Sequence, residues 1–313
     1  MIKEIPFENH DEWLEIRKAY IGGSDAGSVV GMNPYKSAYT LWAEKTGQIE
    51  AFAGNLTTEV GAYLEELVAE LFTRETGKKV RKKNRTMVND KYPFACANVD
   101  RMVVGEKAFL EIKTTNSLPI MRALKNGGDE FPTAYYAQCV HYLGVTGLER
   151  CYLAVLINCR ELKIYTMERD EAEIAALMKA ESDFWWNYVM GGCPPPVDGS
   201  EDCAETIETL HQEGMDRHDV TLMGLEPQIR AYLSFGERIK ELKAAQTEAA
   251  NAIKQSMGDA SYGRAGAYKV SWTSSSRSTF DRDKFQKANP GVDLTPYYKT
   301  SASRTFRVTE QKI

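Results

Sequence analysis

The sequence predicts an α/β protein: a central mixed sheet with helices on both faces, followed by a C-terminal extension that is helical and then β-rich. Three observations carry that expectation. Strand-like, β-branched runs alternate with amphipathic helical runs between residues 57 and 190. The stretch "GGCPPP" at 191–196 is the strongest Gly/Pro punctuation in the chain. Beyond it the pattern changes to one long polar helix and a tail rich in tyrosine and serine. With 313 residues, 43% of them hydrophobic, the chain can bury one large core or two smaller ones. The division expected is 1–195 for the core and 196–313 for the extension.

In chain order, "HDEWLEIRKAY" (10–20) reads as a short helix with Trp13 and Ile16 inward. The turn "IGGSD" follows, where Ser24 or Asp25 is expected to cap a helix over 25–31. Backbone amides at such a helix start favour anions, although small-residue turns of this kind are abundant. "TTEVGAYLEELVAELFTRETG" (57–77) is a longer helix with Val60, Leu64, Leu67, Val68, Leu71 and Phe72 on one stripe and Gly77 as terminator. Glu65 falls at the border of that stripe. Such a residue is ordinarily an amphipathic boundary, unless a second carboxylate lies near it.

Two strands are expected next, "YPFACANVDRMVV" (92–104) and "AFLEIKTT" (108–115), joined by a hairpin turn at Gly105–Glu106. In that register Asp100 falls opposite Glu111, where facing side chains stand about 5 Å apart. Glu111 and Lys113 share a face, because alternate residues on a strand do. Charges at alternate positions also suit an edge strand kept soluble, and a slip of one residue would turn Asp100 away. If the register holds, two carboxylates repel unless a cation lies between them. Magnesium takes one or two carboxylates with water and phosphate oxygens completing its shell. Lys113 would then orient or deprotonate water, or stabilise charge on a phosphate, which is the logic of metal-assisted phosphodiester hydrolysis.

A loop containing Pro119 and "KNGGDEFP" (125–132) leads to the helix "TAYYAQCVHYLGVTG" (133–147), whose apolar side is Tyr135, Tyr136, Cys139, Tyr142 and Leu143. A second hairpin, 150–158 with 161–169, and a helix over 170–190 complete the core. In the extension, residues 226–258 form a long helix with Ile229, Leu233, Ile239 and Leu242 at heptad-like spacing. Strands are expected in "AYKVSWTSSSRSTFD" and "SRTFRV", flanking a short helix near 281–288.

Several chemistries lose their footing. Six cysteines with no CxxC spacing are expected to be reduced thiols, and four histidines form no HExxH. No GxSxG or P-loop occurs. The first residues lack an apolar signal region and no run approaches eighteen apolar residues, which points to the cytoplasm and away from membranes. The net charge of −5 is unevenly spread: residues 161–220 hold fifteen acids and four bases, whereas 261–313 hold four acids and ten bases. "GKKVRKKNR" (77–85) adds six bases and no acid. Basic clusters on an acidic chain suit a nucleic-acid track on one surface, or else a strand edge protected by lysines.

Taken together, "WLEIRKAYIGGSDAGSVVG", "GAYLEE", "NVDRMVV…FLEIKTT" and "AYYAQCVHYLGVTG", in that order, resemble the YqaJ family of phage recombination exonucleases, related to phage lambda exonuclease within the PD-(D/E)xK nuclease superfamily. The resemblance spans roughly residues 10–190. It implies a restriction-endonuclease-like core and a Mg²⁺-dependent 5′-to-3′ exonuclease, with Mn²⁺ able to substitute. Glu65, Asp100, Glu111 and the carbonyl of Ile112 would be metal ligands, Lys113 the catalytic lysine, and Tyr135 with Gln138 the polar pair behind the site. Arg17 and Ser24, seven apart, match residues that grip a terminal 5′-phosphate. Partners implied are double-stranded DNA, a single-strand annealing recombinase and further copies of the chain, as a homo-oligomer or ring-shaped trimer, in a bacterial host carrying the phage or prophage. Asn98-Val99 stands where the superfamily's proline is usual, and residues 200–313 have no counterpart in lambda exonuclease. Competing readings are a structure-specific endonuclease, a non-catalytic DNA-binding protein on the same fold, and an iron–sulfur nuclease, which the cysteine placement disfavours.

Overall fold

The computed structural model describes residues 1–116, 133–211, 219–299 and 305–309. The first unit begins with β1 (Ile2–Pro6), α1 (His10–Lys18), β2 (Ile21–Gly22), α2 (Gly23–Val29), α3 (Ala38–Lys45) and α4 (Leu56–Thr76). Five strands follow: β3 (Val80–Arg81), β4 (Arg85–Asn89), β5 (Tyr92–Ala97), β6 (Arg101–Val103) and β7 (Ala108–Thr115). It closes with α5 (Thr133–Thr146), β8 (Arg150–Ile157), β9 (Glu161–Glu168), α6 (Glu171–Phe184), a π-helical turn over Trp185–Val189, and α7 (Glu201–Leu210). The loop expected around Pro119 and 125–132 lies outside the described residues.

A five-stranded sheet runs β3-β6-β7-β8-β9, with β7 and β8 parallel and the other pairs antiparallel. The mixed sheet with helices on both faces is therefore as expected. Even positions of β7, such as Leu110 and Ile112, pack with Val68 and Phe72 of α4. Phe109, on the other face, packs with Tyr142 and Leu143 of α5. A second, four-stranded sheet runs β1-β4-β5-β2.

That second sheet corrects the reading of 92–104 as one strand. The run breaks at residues 98–100, so that β5 belongs to one sheet and β6 to the other. The Asp100 side chain accepts from the Ile112 backbone N–H at 2.7 Å, giving the chain a polar anchor where it leaves the first ladder. The hairpin register itself is the expected one. Arg101 pairs with Leu110 and Met102 with Phe109, which carries Asp100 opposite Glu111, and Gly105 adopts the left-handed φ of 83° that the turn requires.

Other differences are local. The helix expected over 25–31 starts at Gly23, because Gly22 is its N-cap and the Asp25 carboxylate reaches back to the Gly22 N–H at 3.0 Å. Ser24 therefore lies inside the first turn instead of capping it. On α4 the expected apolar stripe is buried only in part; Val60 and Leu67 stay exposed, while Ala69 joins Val68 and Phe72 in the core. The helix ends at Gly77, with φ 71°, as expected. Four of the six bases in 77–85 are paired with acids: Lys78 with Glu106, Lys82 with Glu66, and Lys83 and Arg85 with Glu4. This stretch is thus largely a neutralised strand edge, not an open basic track.

The compact units divide between residues 213 and 214 instead of at 195/196. The reason is α7, which docks on α3. Asp202 accepts from the Ser37 N–H at 2.7 Å and from the Thr40 hydroxyl at 2.6 Å, and Thr40 and Thr206 hydroxyls meet at 2.7 Å. The second unit contains α8 (Glu226–Met257), a hairpin of β10 (Tyr262–Ala265) and β11 (Tyr268–Ser271), and α9 (Arg282–Ala288). Among the described residues no strand follows Ser271, so the described part of the tail is less β-rich than expected. No helix among the described residues is long and apolar enough to cross a membrane.

Candidate active site

One cleft of about 440 Å³ in the first unit is lined by Arg17 and Ser24 together with Glu65, Asp100, Glu111, Ile112, Lys113 and Gln138. Eight of the nine residues singled out from the sequence therefore line a single cavity. The ninth, Tyr135, is set behind it, with the Lys113 ammonium 5.8 Å from its ring centroid.

Among the carboxylates, β7 presents Glu111 and Lys113 on the face that α5 covers. The Lys113 ammonium lies 2.8 Å from Glu111 Oε1, and the Gln138 amide donates to the same oxygen at 2.6 Å. Glu111 is 1% exposed, and its Oε2 is buried without a hydrogen-bond partner. An orphaned buried carboxylate oxygen is costly unless something positive meets it. Burial, and next to it the neighbouring Glu111 charge, push the Asp100 carboxyl well above the usual range. Burial also raises Glu111, against the pull of Lys113. Lys113 is displaced upward: burial opposes its charge, but Glu111 and Asp100 outweigh burial.

This donor set fits a hard divalent cation. Two carboxylates that repel each other, one with a buried, unpartnered oxygen, and the carbonyl of Ile112, a residue of the same cleft, are oxygen ligands of the kind magnesium takes. Glu65 stands differently. Its carboxylate is held by Arg101, which also reaches Glu66 at 3.0 Å and the Asp100 carbonyl at 2.7 Å. Among the described residues no three His, Cys, Asp or Glu side chains close into a metal-holding group by themselves.

In the same cleft, the Arg17 guanidinium donates to Ser24 Oγ at 2.6 Å, stacks over the Trp13 ring at 4.8 Å and lies 3.6 Å from Asp25. Asp25 is buried and also meets Lys45 at 2.9 Å. Although burial works to raise it, Lys45 and Arg17 hold its carboxyl well below the usual range. Asp25 thus stays charged and fixes Arg17, leaving the Ser24 hydroxyl and part of the guanidinium at the cleft wall.

Sequence reasoning misses two residues here. By pattern Tyr142 is only apolar packing, yet it lines the cleft, its hydroxyl lies 3.3 Å from the Gln138 amide, and a Cβ at Gly23 would run into its ring. The Gln138–Tyr142 spacing of four, one helical turn, is the available signal. By pattern Arg101 is an ordinary strand residue; it is buried and organises Glu65 and Glu66 of α4.

Comparison with known proteins places the family and the fold. A model of the YqaJ-like viral recombinase domain matches residues 12–149. The protein YqaJ of Bacillus subtilis (strain 168), itself uncharacterised, is 38% identical over 304 residues, covering 96% of this chain and 93% of its own. Protein D345L of African swine fever virus (strain Badajoz 1971 Vero-adapted) is 35% identical over 79 residues, 24% of this chain and 23% of the viral one. Among solved structures, the alkaline exonuclease LHK-Exo of Laribacter hongkongensis, in its complex with dAMP, aligns over 65% of this chain and 97% of its own, with a TM-score of 0.50 and 20% identity. At that identity the likeness is one of fold alone, the fold of the alkaline exonuclease.

Proposed function

This chain belongs to the YqaJ-like viral recombinase family, and from that premise we propose that it is a metal-dependent deoxyribonuclease digesting one strand of duplex DNA from the 5′ end. The observation that carries the reading is the single cleft that Asp100, Glu111 and Lys113 share with the Arg17–Ser24 pair. A bidentate guanidinium beside a hydroxyl and helix-start amides suits a phosphate dianion. A terminal 5′-phosphate held there would set the adjoining phosphodiester towards the carboxylates. This geometry favours cutting from an end over cutting within a strand.

Asp100, Glu111 and the Ile112 carbonyl would hold Mg²⁺, or Mn²⁺ in its place, with Glu65 adding negative charge within the same cleft. The ion supplies Lewis-acid stabilisation of charge on the phosphate. Lys113, already paired with Glu111, presents its ammonium to developing negative charge in a site screened from solvent. Gln138 fixes the Glu111 carboxylate, and Tyr135 backs the lysine. LHK-Exo is known in complex with dAMP, and a mononucleotide of that kind would be the product here.

The 3′ single strand left behind suits a single-strand annealing recombinase as partner, in the cytoplasm of a bacterial host carrying the phage or prophage, with the nuclease acting as a homo-oligomer such as a ring-shaped trimer. The experiment is digestion of linear duplex bearing a 5′-phosphate or a 5′-hydroxyl, beside covalently closed circular DNA. Faster release of mononucleotides from the phosphorylated end, with the circle untouched, supports the reading. Cleavage of the circle would make the protein an endonuclease.

A further inference from the structure

The hairpin of the second unit carries a surface that the nuclease chemistry does not use. One face of β10–β11 packs on the end of α8: Gly263 and Val270 are opposed and half-buried, Met257 lies against them, and the Lys254 ammonium sits 5.8 Å from the Trp272 ring centroid. The opposite face is open to solvent and presents Tyr262, Arg264, Lys269 and Ser271. The register places Arg264 directly across from Lys269, and Tyr262 across from Ser271. Lys269 also reaches over the Tyr262 ring at 5.8 Å, while that ring remains 65% exposed.

Like charges directly opposed on a ladder destabilise it. Here nothing in the hairpin relieves the repulsion, because "YGRAGAYKVS" (262–271) contains no acid, and neither cation forms an ion pair among the described residues. An anion bridging the two would do so. An exposed tyrosine beside a pair of cations is the combination that holds unpaired nucleic acid: phosphates on the charges, a base face on the ring. Duplex DNA offers phosphates but keeps its base faces stacked, so it would leave Tyr262 unused.

We propose that this face, formed by Tyr262, Arg264 and Lys269, binds single-stranded DNA. Arg264 and Lys269 each take a phosphate, and Tyr262 stacks on a base. That the strand is the one left by digestion rests on the proposed nuclease activity; the binding does not, and an assay in EDTA keeps the two separable.

The test is fluorescence anisotropy of a labelled oligothymidylate with the full-length protein in EDTA, across a salt series. Replacing both cations (Arg264→Ala with Lys269→Ala) should weaken binding and flatten the slope of log K against log salt by about 1.4, the counterion release expected of two phosphates on a single strand. Tyr262→Ala should weaken binding about fivefold or more at fixed salt with the slope unchanged. Tyr262→Phe and Arg264→Lys, which keep ring and charge, should bind as the wild type does. An unchanged slope and affinity in the double variant overturns the proposal. So does equal competition by polyglutamate, which would assign the face to an acidic protein.

Discussion

Glu111 and Asp100 face each other across β6 and β7 with their charges poorly compensated, and Lys113 supplies what compensation there is. Removing charge without volume separates chemistry from folding. Asp100→Asn and Glu111→Gln are expected to abolish cleavage, by at least ~3 kcal/mol in the transition state or roughly 150-fold, while melting no lower than the wild type. Near-normal turnover in either folded variant would refute the assignment. Arg17→Ala should erase the preference for 5′-phosphate over 5′-hydroxyl ends without changing the rate on the hydroxyl substrate. Matched kinetics on the two ends decide it, and a preference that persists would leave Arg17 as packing for Trp13 and Asp25.

A different residue-scale effect belongs to His141. Its Nδ1 lies 2.8 Å from Glu181 and its Nε2 lies 2.9 Å from the Cys96 carbonyl, and all three groups are buried. A carboxylate and a carbonyl only accept, so the ring carries both protons. Burial works against that charge, but Glu181 more than offsets it and raises the His141 pKa above 6.5. The stabilisation is therefore complete below about 6.5, the unfolded value, and is lost as pH rises through the folded one. Melting temperature should fall with rising pH over that window, and the fall should flatten in Glu181→Gln. A slope unaltered by the substitution would show that the pair does not carry the dependence. His141→Ala at neutral pH should cost about 3–5 kcal/mol, because it strands the Glu181 charge.

At the scale of elements, the turn that starts α2 and the middle of α5 are fitted to each other. Gly23 has no room for a side chain against the Tyr142 ring, and Gln138, one turn before Tyr142, holds Glu111. Gly23→Ala should therefore destabilise by about 1–3 kcal/mol and lower activity, and Gly23→Ala with Tyr142→Leu should recover stability more than activity. Denaturant melts beside rates on duplex DNA check this; additive losses in the double variant would contradict it.

The same elements show what the sequence can and cannot convey. Asp100 opposite Glu111 is legible because a glycine turn fixes the hairpin register and strands alternate strictly. The break at residues 98–100 is not, since a chain passing from one sheet to another keeps the same β-branched composition. The two-residue β2 and the helix α3 are too short to show a period, and Glu65 stands out while its partner Arg101 does not. Pairings between distant elements leave no local pattern.

For the whole molecule, the first unit holds every buried residue among those described, and the second holds none. Its long helix leaves Phe235, Ile239 and Leu242 exposed. A chain ending at residue 213 should therefore fold and keep metal-dependent cleavage of short duplexes, while losing salt-sensitive retention on single strands, given the ten bases and four acids of 261–313. Failure of residues 1–213 to fold would contradict the two-unit organisation. The central claim is that Asp100, Glu111 and Lys113 form a metal-dependent nuclease centre fed from a 5′ end. End-labelled linear duplex, incubated with Mg²⁺ and separately with EDTA, tests it most directly: 5′-terminal mononucleotides released only with Mg²⁺ are the expected result, and no release, or release undiminished by EDTA, would contradict it.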